Sequence, residues 1–223
     1  SGTTVIASTA IIRGENGIIG TQRNIAGTQV LQNDGLISAD VAGGTLIIRE
    51  SAVVNNATME ARNGGTLELE TAVTNGPSGQ ILAGNGVVLQ QGVRITGGVI
   101  DSANGGTIQV NNSASNFLDG VTVNGTLDMS TAGSSTLRLD NGLTLNGQID
   151  ADNGARLIVN GGQSVNGTGE VVFGSTGSNA LVLDGSGTTS LGADLTVRGG
   201  NVTIGGQLFV SGTQVLNNLG TID

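Results

Sequence analysis

Residues 43–48, Gly-Gly-Thr-Leu-Ile-Ile, recur as GGTLEL at 64–69 and as GGTIQV at 105–110. Looser copies follow as SSTLRL at 134–139, GARLIV at 154–159 and NALVL at 179–183. Taking the second apolar residue of each as a marker gives Ile48, Leu69, Leu89, Val110, Leu139, Val159, Leu183 and Ile204. The steps between them are 21, 20, 21, 29, 20, 24 and 21 residues. A period in this range is the signature of a solenoid, in which each repeat covers the apolar face of its neighbour.

Two further short runs accompany the markers. One precedes them, at 36–39, 58–61, 80–83, 99–102, 126–129, 148–151 and 170–173. The other follows several of them, at 93–95, 121–123 and 143–145. Each run alternates apolar and polar residues with the period of a half-buried strand, and Gly, Asn, Asp or Ser separates the runs. Helical spacing is not sustained anywhere, and glycine recurs too often for helix interiors. Asn-Gly at 124–125, 141–142 and 146–147 would suit two-residue hairpins. Hairpins, however, do not require each strand to match another one full period later. Stacked coils do. The reading is an all-β, right-handed parallel β-helix with three short strands in coils of 20–22 residues, the hand following the general preference of parallel crossovers.

This reading makes Leu46, Ile48, Leu67, Leu69, Ile108, Val110, Leu137 and Leu139 inward, together with Met59, Ile81, Leu127, Ile149 and Val171. Asn56, Asn124 and Asn146 recur at a turn, where stacked amides can form a ladder along the axis or Asn can serve left-handed turns. Residues 1–223 are expected to form one domain. Residues 1–29, with Arg13, Glu15 and Arg23, read as a less regular first coil. The 29-residue step marks an insertion loop at 113–120, and Asn116, Phe117, Leu118 and Asp119 are its candidate ligand contacts, since solenoid loops often carry function. The chain reads as a piece of a longer protein that continues into further repeats.

Composition narrows the chemistry. The 223 residues include 40 Gly, one Pro and three Phe (Phe117, Phe173 and Phe209), with no Trp, Tyr, His or Cys. All eight basic residues are Arg, and the net charge is −9. A nucleic-acid partner needs a basic patch that this balance does not supply. No apolar run approaches the length of a transmembrane span. Without His, Cys or Lys, the usual nucleophile–base pairs have no members. Carboxylates remain, as glycoside hydrolases use them. The candidates are Asp101, Asp128, Asp140, Asp150 and Asp152, with Arg138 or Arg156 as companions. Asp101, Asp128 and Asp150, with Ser38 and Glu60 in earlier coils, fall at one outward place and are expected to align. Such a column offers oxygen ligands to Ca²⁺, but the Gly-Gly-x-Gly-x-Asp calcium repeat is missing, so no cofactor is expected. Thr45, Thr66, Thr107 and Thr136 suggest an outward threonine row. Their neighbours Ile47, Glu68, Gln109 and Arg138 break the flat array that ice binding would require, and Thr is in any case a good strand residue.

The phrase Val-x-Asn-x-Gly-x-Ile-x-Ala-x-x-Gly-Gly-Thr-Leu-x-Leu, approximated at 30–48 and 53–69, resembles the filamentous-haemagglutinin-like and autotransporter passenger repeats of large secreted bacterial adhesins. The resemblance covers about residues 30–223. It implies a right-handed parallel β-helix at the cell surface or outside the cell, acting as a rigid spacer or as a surface for a host glycan or matrix protein, and not an enzyme. The competing expectation is a polysaccharide-processing or tailspike-like enzyme built on paired carboxylates.

Overall fold

A computed structural model describes residues 1–20 and 27–223. Arg23, expected in the irregular first coil, lies outside the described residues. The rest is a parallel β-solenoid with strands stacked in three columns. The first described coil runs through Gly2–Ile6, Ile11–Gly14 and Gly17–Ile19, one strand for each column. The last runs through Val202–Ile204, Gln214–Asn218 and Thr221–Ile222. Two strands, Phe117–Val123 and Thr136–Leu145, bend and serve both the first and the second column, which merges these into one 18-stranded sheet beside a ten-stranded third.

The alternation read from sequence decides which side chains enter the interior. In Thr45–Ile48 and Thr66–Leu69 the second and fourth residues are buried and the first and third half-buried. Register places Leu46 beside Leu67 and Ile48 beside Leu69. In the second column Ile37, Met59, Ile81 and Ile100 stack in succession, all fully buried. In the third, Ile108, Leu127, Ile149, Val171 and Val197 do the same. Every inward residue named above is buried, but the marker Leu89 is outward and half-buried, level with Glu68, while Val88 and Gln90 take the inward places. Each such side chain contributes about 1.5–3 kcal/mol on burial, and only because a like residue covers it from the next coil.

The repeat is assembled differently from its sequence spacing in one respect. The markers Ile48, Leu69 and Val110 lie in the third column, whereas Leu139, Val159, Leu183 and Ile204 lie in the first. Ile108 stacks on Leu127, not on Leu137. The 29-residue step is therefore one coil plus one strand. Residues 113–116 are a turn, and 117–119 are strand, in register with Arg94–Thr96 below and 138–140 above. All three strands of a coil share one local pattern, so motif likeness reports that a segment is a strand without reporting which face it occupies. Among the connections whose residues are all described, the long one is at 205–213, between Val202–Ile204 and Gln214–Asn218.

Asparagine organises the corner between the first and second columns. Asn33 Nδ2 donates to Asn55 Oδ1 at 2.8 Å, and Asn55 Nδ2 to Asn75 Oδ1 at 2.8 Å. The same amides donate to the carbonyls of Thr58, Gln80 and Gly97. All three residues are buried. The sequence reading pointed one residue further on, to Asn56, which donates to Asp34 on the outside; Asn146 donates to Asn124 at 3.0 Å. None of these three has the positive φ of a left-handed turn; Asn141 does, at 54°, followed by Gly142 at 88°. That pair turns a strand from the first column into the second and makes no hairpin.

Asn55→Ala removes the central rung and leaves buried partners unsatisfied. It is expected to lower stability by about 1–3 kcal/mol, whereas Asn56→Ala is expected to cost about 0.5 kcal/mol or less; urea unfolding of both variants checks the difference.

Candidate functional site

The outer face of the first column is where this chain departs from a plain repeat. Two outward rows run along it. Register aligns Arg94, Phe117, Arg138, Ile158 and Val182 in one row. It aligns Thr96, Asp119, Asp140, and then Asn160 with Asp184, in the other. The parallel ladder sets neighbours in a row about 4.8 Å apart, so charge and aromatic character in successive coils must interact.

In the first row the Arg94 guanidinium lies over the Phe117 ring at 4.1 Å, and Arg138 lies over the same ring at 4.7 Å. Arg138 also lies 4.7 Å from the ring of Phe209, brought in by the 205–213 segment. The result is an alternating stack, Arg94–Phe117–Arg138–Phe209, in which each cation meets the negative face of a ring. Two of the three aromatic residues are spent here; the third, Phe173, is buried in the interior.

In the second row, Arg94 bridges two carboxylates, with Nη1 2.7 Å from Asp119 Oδ2 and Nη2 2.7 Å from Asp140 Oδ2. Asn141 donates to Asp119 Oδ1 and Asn160 to Asp140 Oδ1, each at 2.6 Å. All four carboxylate oxygens therefore accept a hydrogen bond. Burial works against the Arg94 charge, but hydrogen bonds to Asp140 and Asp119 outweigh it and raise its pKa above the ordinary arginine value. Removing Arg94 would leave two like charges on adjacent rungs.

The 205–213 segment folds back onto this face. The buried Asp184 carboxylate accepts the backbone N–H groups of Leu208 at 2.6 Å and Phe209 at 3.0 Å, and Gly185 N–H donates to the Val210 carbonyl at 2.8 Å. Ile158 and Val182, outward by register, are buried and yet stand apart from the interior cluster. The segment itself exposes Leu208, Phe209 and Val210 by about half. The sequence reading missed it. Its signal was the apolar run 208–210 between Gly205-Gly206 and Gly212, which breaks the polar–apolar alternation.

The expected ligand-contact loop is divided by this geometry. Phe117 and Asp119 reach the outer face. Leu118 points inward and is fully buried. Asn116 is also fully buried, its Oδ1 accepting Gly92 N–H at 2.7 Å and its amide donating to the Asn111, Ser113 and Thr136 carbonyls. It closes the corner from inside, as Asn179 does higher up.

The expected alignment of Asp101 with Asp128 and Asp150 does not form. Asp128 and Asp150 are register partners in the third column, whereas Asp101 lies in the second, beyond Glu60 and Leu82. Glu60 is buried, accepting Ser38 Oγ at 2.9 Å and pairing with Arg62 at 2.6 Å. Asp128 closes its own turn, accepting Ser130 Oγ at 2.6 Å and Ser130 N–H at 2.7 Å. Burial pushes its pKa up, but these bonds and those from Thr131 prevail and hold it below the usual aspartate value. Asp152 accepts Thr176 N–H at a different corner. Among the described residues no group of three His, Cys, Asp or Glu side chains gathers as a metal site. Thr136 is in the first column and buried, apart from Thr45, Thr66 and Thr107 on the third.

Two polar-lined hollows follow the corners beside these columns. One, of about 370 Å³, lies next to the Asp119–Asp140 pair and is lined by Thr122, Asn141, Thr144, Gln163, Ser164 and Asn166 among others. The other, of about 520 Å³, includes Ser102, Asn124, Thr126, Asn146, Gln148 and Glu170. Neither protein-family models nor curated proteins contain a match to this chain.

The Asp128 geometry fixes a sign for pH dependence. A carboxyl with a depressed folded pKa contributes stability that is present above its unfolded pKa of about 3.9 and lost as pH falls through the lower folded value. Asp128→Asn is therefore expected to be less stable than the parent chain at neutral pH, the gap closing as acid protonates Asp128. Thermal unfolding across pH 7 to about 2 checks it. Separately, Arg94→Met is expected to destabilise the chain more than Arg198→Met in urea unfolding, since Arg198 and Glu170 form an exposed pair that solvent and salt screen.

Proposed function

We propose that this chain is a structural or adhesive segment of a secreted or cell-surface bacterial protein, acting as a rigid spacer that presents its outer faces. The observation that carries this reading is the in-register stacking of every column from the first described coil to the last. Nine steps of about 4.8 Å make a rod roughly 43 Å long, stiffened by ladders inside and ion pairs outside. Arg49–Glu70 and Arg198–Glu170 each join residues on adjacent coils. The repeat phrases that resemble secreted adhesins support the same reading.

A second reading rests on one specific observation: Asp119 and Asp140 converge beside the 370 Å³ hollow, with Arg94 and Arg138 near them. Paired carboxylates in a groove are what a polysaccharide-processing enzyme would use. The bonding favours the spacer. Arg94 pairs with both carboxylates and Asn141 and Asn160 each donate to one of them, so every oxygen already has a partner within the fold. Any host glycan or matrix protein would meet the Phe117–Phe209 face first, since arginine and exposed aromatic side chains are the groups that dominate protein interfaces.

A glycan array and a matrix-protein panel, each with and without Ca²⁺, test the proposal on the folded chain. Saturable binding weakened by Phe209→Ser supports an adhesive surface, and no binding from a folded sample supports a spacer. Release of reducing ends from any polysaccharide, abolished by Asp140→Asn, would replace both with the enzyme.

A further inference from the structure

Eleven Asn-Gly pairs occur in the chain, at 16, 63, 75, 85, 104, 124, 141, 146, 153, 160 and 166. Asn-Gly is the dipeptide most prone to spontaneous loss of the side-chain amide. The glycine nitrogen attacks the asparagine Cγ and sheds its proton to water. Ammonia leaves and a five-membered succinimide remains. Water then opens the ring to aspartate or isoaspartate, so the net reaction consumes one water and releases one ammonia. The reaction needs the glycine N–H free, the side chain free, and a main chain able to turn the nitrogen toward Cγ. Reacting atoms held in any other arrangement lose the advantage of proximity.

The fold removes these conditions almost everywhere. Asn63, Asn104, Asn141 and Asn153 have φ between 53° and 59°. This left-handed conformation, with ψ near +47°, turns the following nitrogen away from Cβ. The N–H groups of Gly76, Gly147 and Gly161 are bound to the carbonyls of Asn55, Val123 and Asp184. Asn16, Asn85 and Asn124 have their Oδ1 atoms engaged by Thr45 N–H, Asn63 N–H and Asn146 Nδ2 respectively. Asn166 escapes all three restraints. It ends the strand Ser164–Asn166, is exposed, and has no positive φ. Among the described residues, neither its side chain nor the Gly167 N–H has a hydrogen-bond partner.

We infer that Asn166 is a spontaneous deamidation site, with water as the co-reactant, and that it reacts ahead of the other ten pairs. The consequences are local and irreversible. Thr144 is its register partner, and both line the 370 Å³ hollow, so the product places a carboxylate where the lining was neutral. Isoaspartate also lengthens the main chain by one atom, just where Gly167 packs so closely that a Cβ would lie 2.0 Å from the Leu145 carbonyl oxygen.

The test is timed incubation of the intact chain at mildly alkaline pH, followed by peptide mapping by mass spectrometry, beside a parallel sample unfolded in urea. In the folded chain the one-mass-unit gain is expected at Asn166 roughly tenfold faster than at any other pair, while in urea the eleven react at comparable rates. Asn166→Gln should abolish the leading product and Asn104→Gln should leave it unchanged. A different leading site in the folded chain, equal rates at all pairs, or no reaction at Asn166 while the unfolded chain reacts would each overturn the inference.

Discussion

Strands in the interior of this solenoid find their backbone partners one coil below and one coil above, in parallel register, and the rest of the described structure is arranged around that constraint. A parallel ladder brings equivalent positions within about 4.8 Å of one another. Whatever a residue is, it must tolerate its counterpart in the next coil. Inside, aliphatic side chains of similar volume meet this requirement, which is why Ile37, Met59, Ile81 and Ile100 succeed one another. At corners the demand falls on polar groups, and Asn33, Asn55 and Asn75 meet it because a primary amide both donates and accepts along one line. The same closeness explains glycine at corners. A Cβ on Gly147 would lie 2.1 Å from the carbonyl oxygen of Gly125 beneath it.

On the outer faces the constraint becomes electrostatic. Like charges on successive rungs repel, so where two acids follow each other their charge must be held. Arg94 spans Asp119 and Asp140, while Asp128, the register partner of Asp150, is held by the Ser130 hydroxyl and N–H of its own turn. The arginines do double service, since Arg94 and Arg138 also pack on Phe117, and the chain folds its own 205–213 segment back to add Phe209. That face holds both aromatic residues that lie outside the interior, the 208–210 run and the Arg94 ion-pair network. It is a surface at which a partner would find apolar area and fixed charge together.

The solenoid, the strand alternation and the inward residues were legible in the sequence, because a period near 21 and a period of two are properties of neighbouring positions. The assignment of strands to faces was not. SSTLRL at 134–139 looks like GGTLII at 43–48, yet one lies in the first column and the other in the third. The likeness arises because every strand answers to the same interior. The displaced register turned an ordinary strand at 117–119 into an expected insertion and put Asp101 in a row with Asp128 and Asp150. Of the four residues expected to contact a ligand, Phe117 and Asp119 do reach the outer face, whereas Asn116 and Leu118 serve the interior. The Arg94 bridge was invisible because its partners lie 25 and 46 positions away, and only the coil spacing brings them together.

The register through the middle of the rod tests this account most directly. The native chain has no cysteine, so paired cysteines can be introduced on a silent background. Val99 and Thr122 are outward register partners in the second column, close enough for a disulfide, which needs Cα atoms about 4.4–6.8 Å apart. Motif likeness alone would instead pair Val99 with Thr126, which lies in the third column. The account predicts that the Val99→Cys/Thr122→Cys chain forms an internal disulfide under mild oxidation and that Val99→Cys/Thr126→Cys does not. Cross-linking of the second pair and not the first would contradict the coil-upon-coil stacking on which every other statement about this molecule rests.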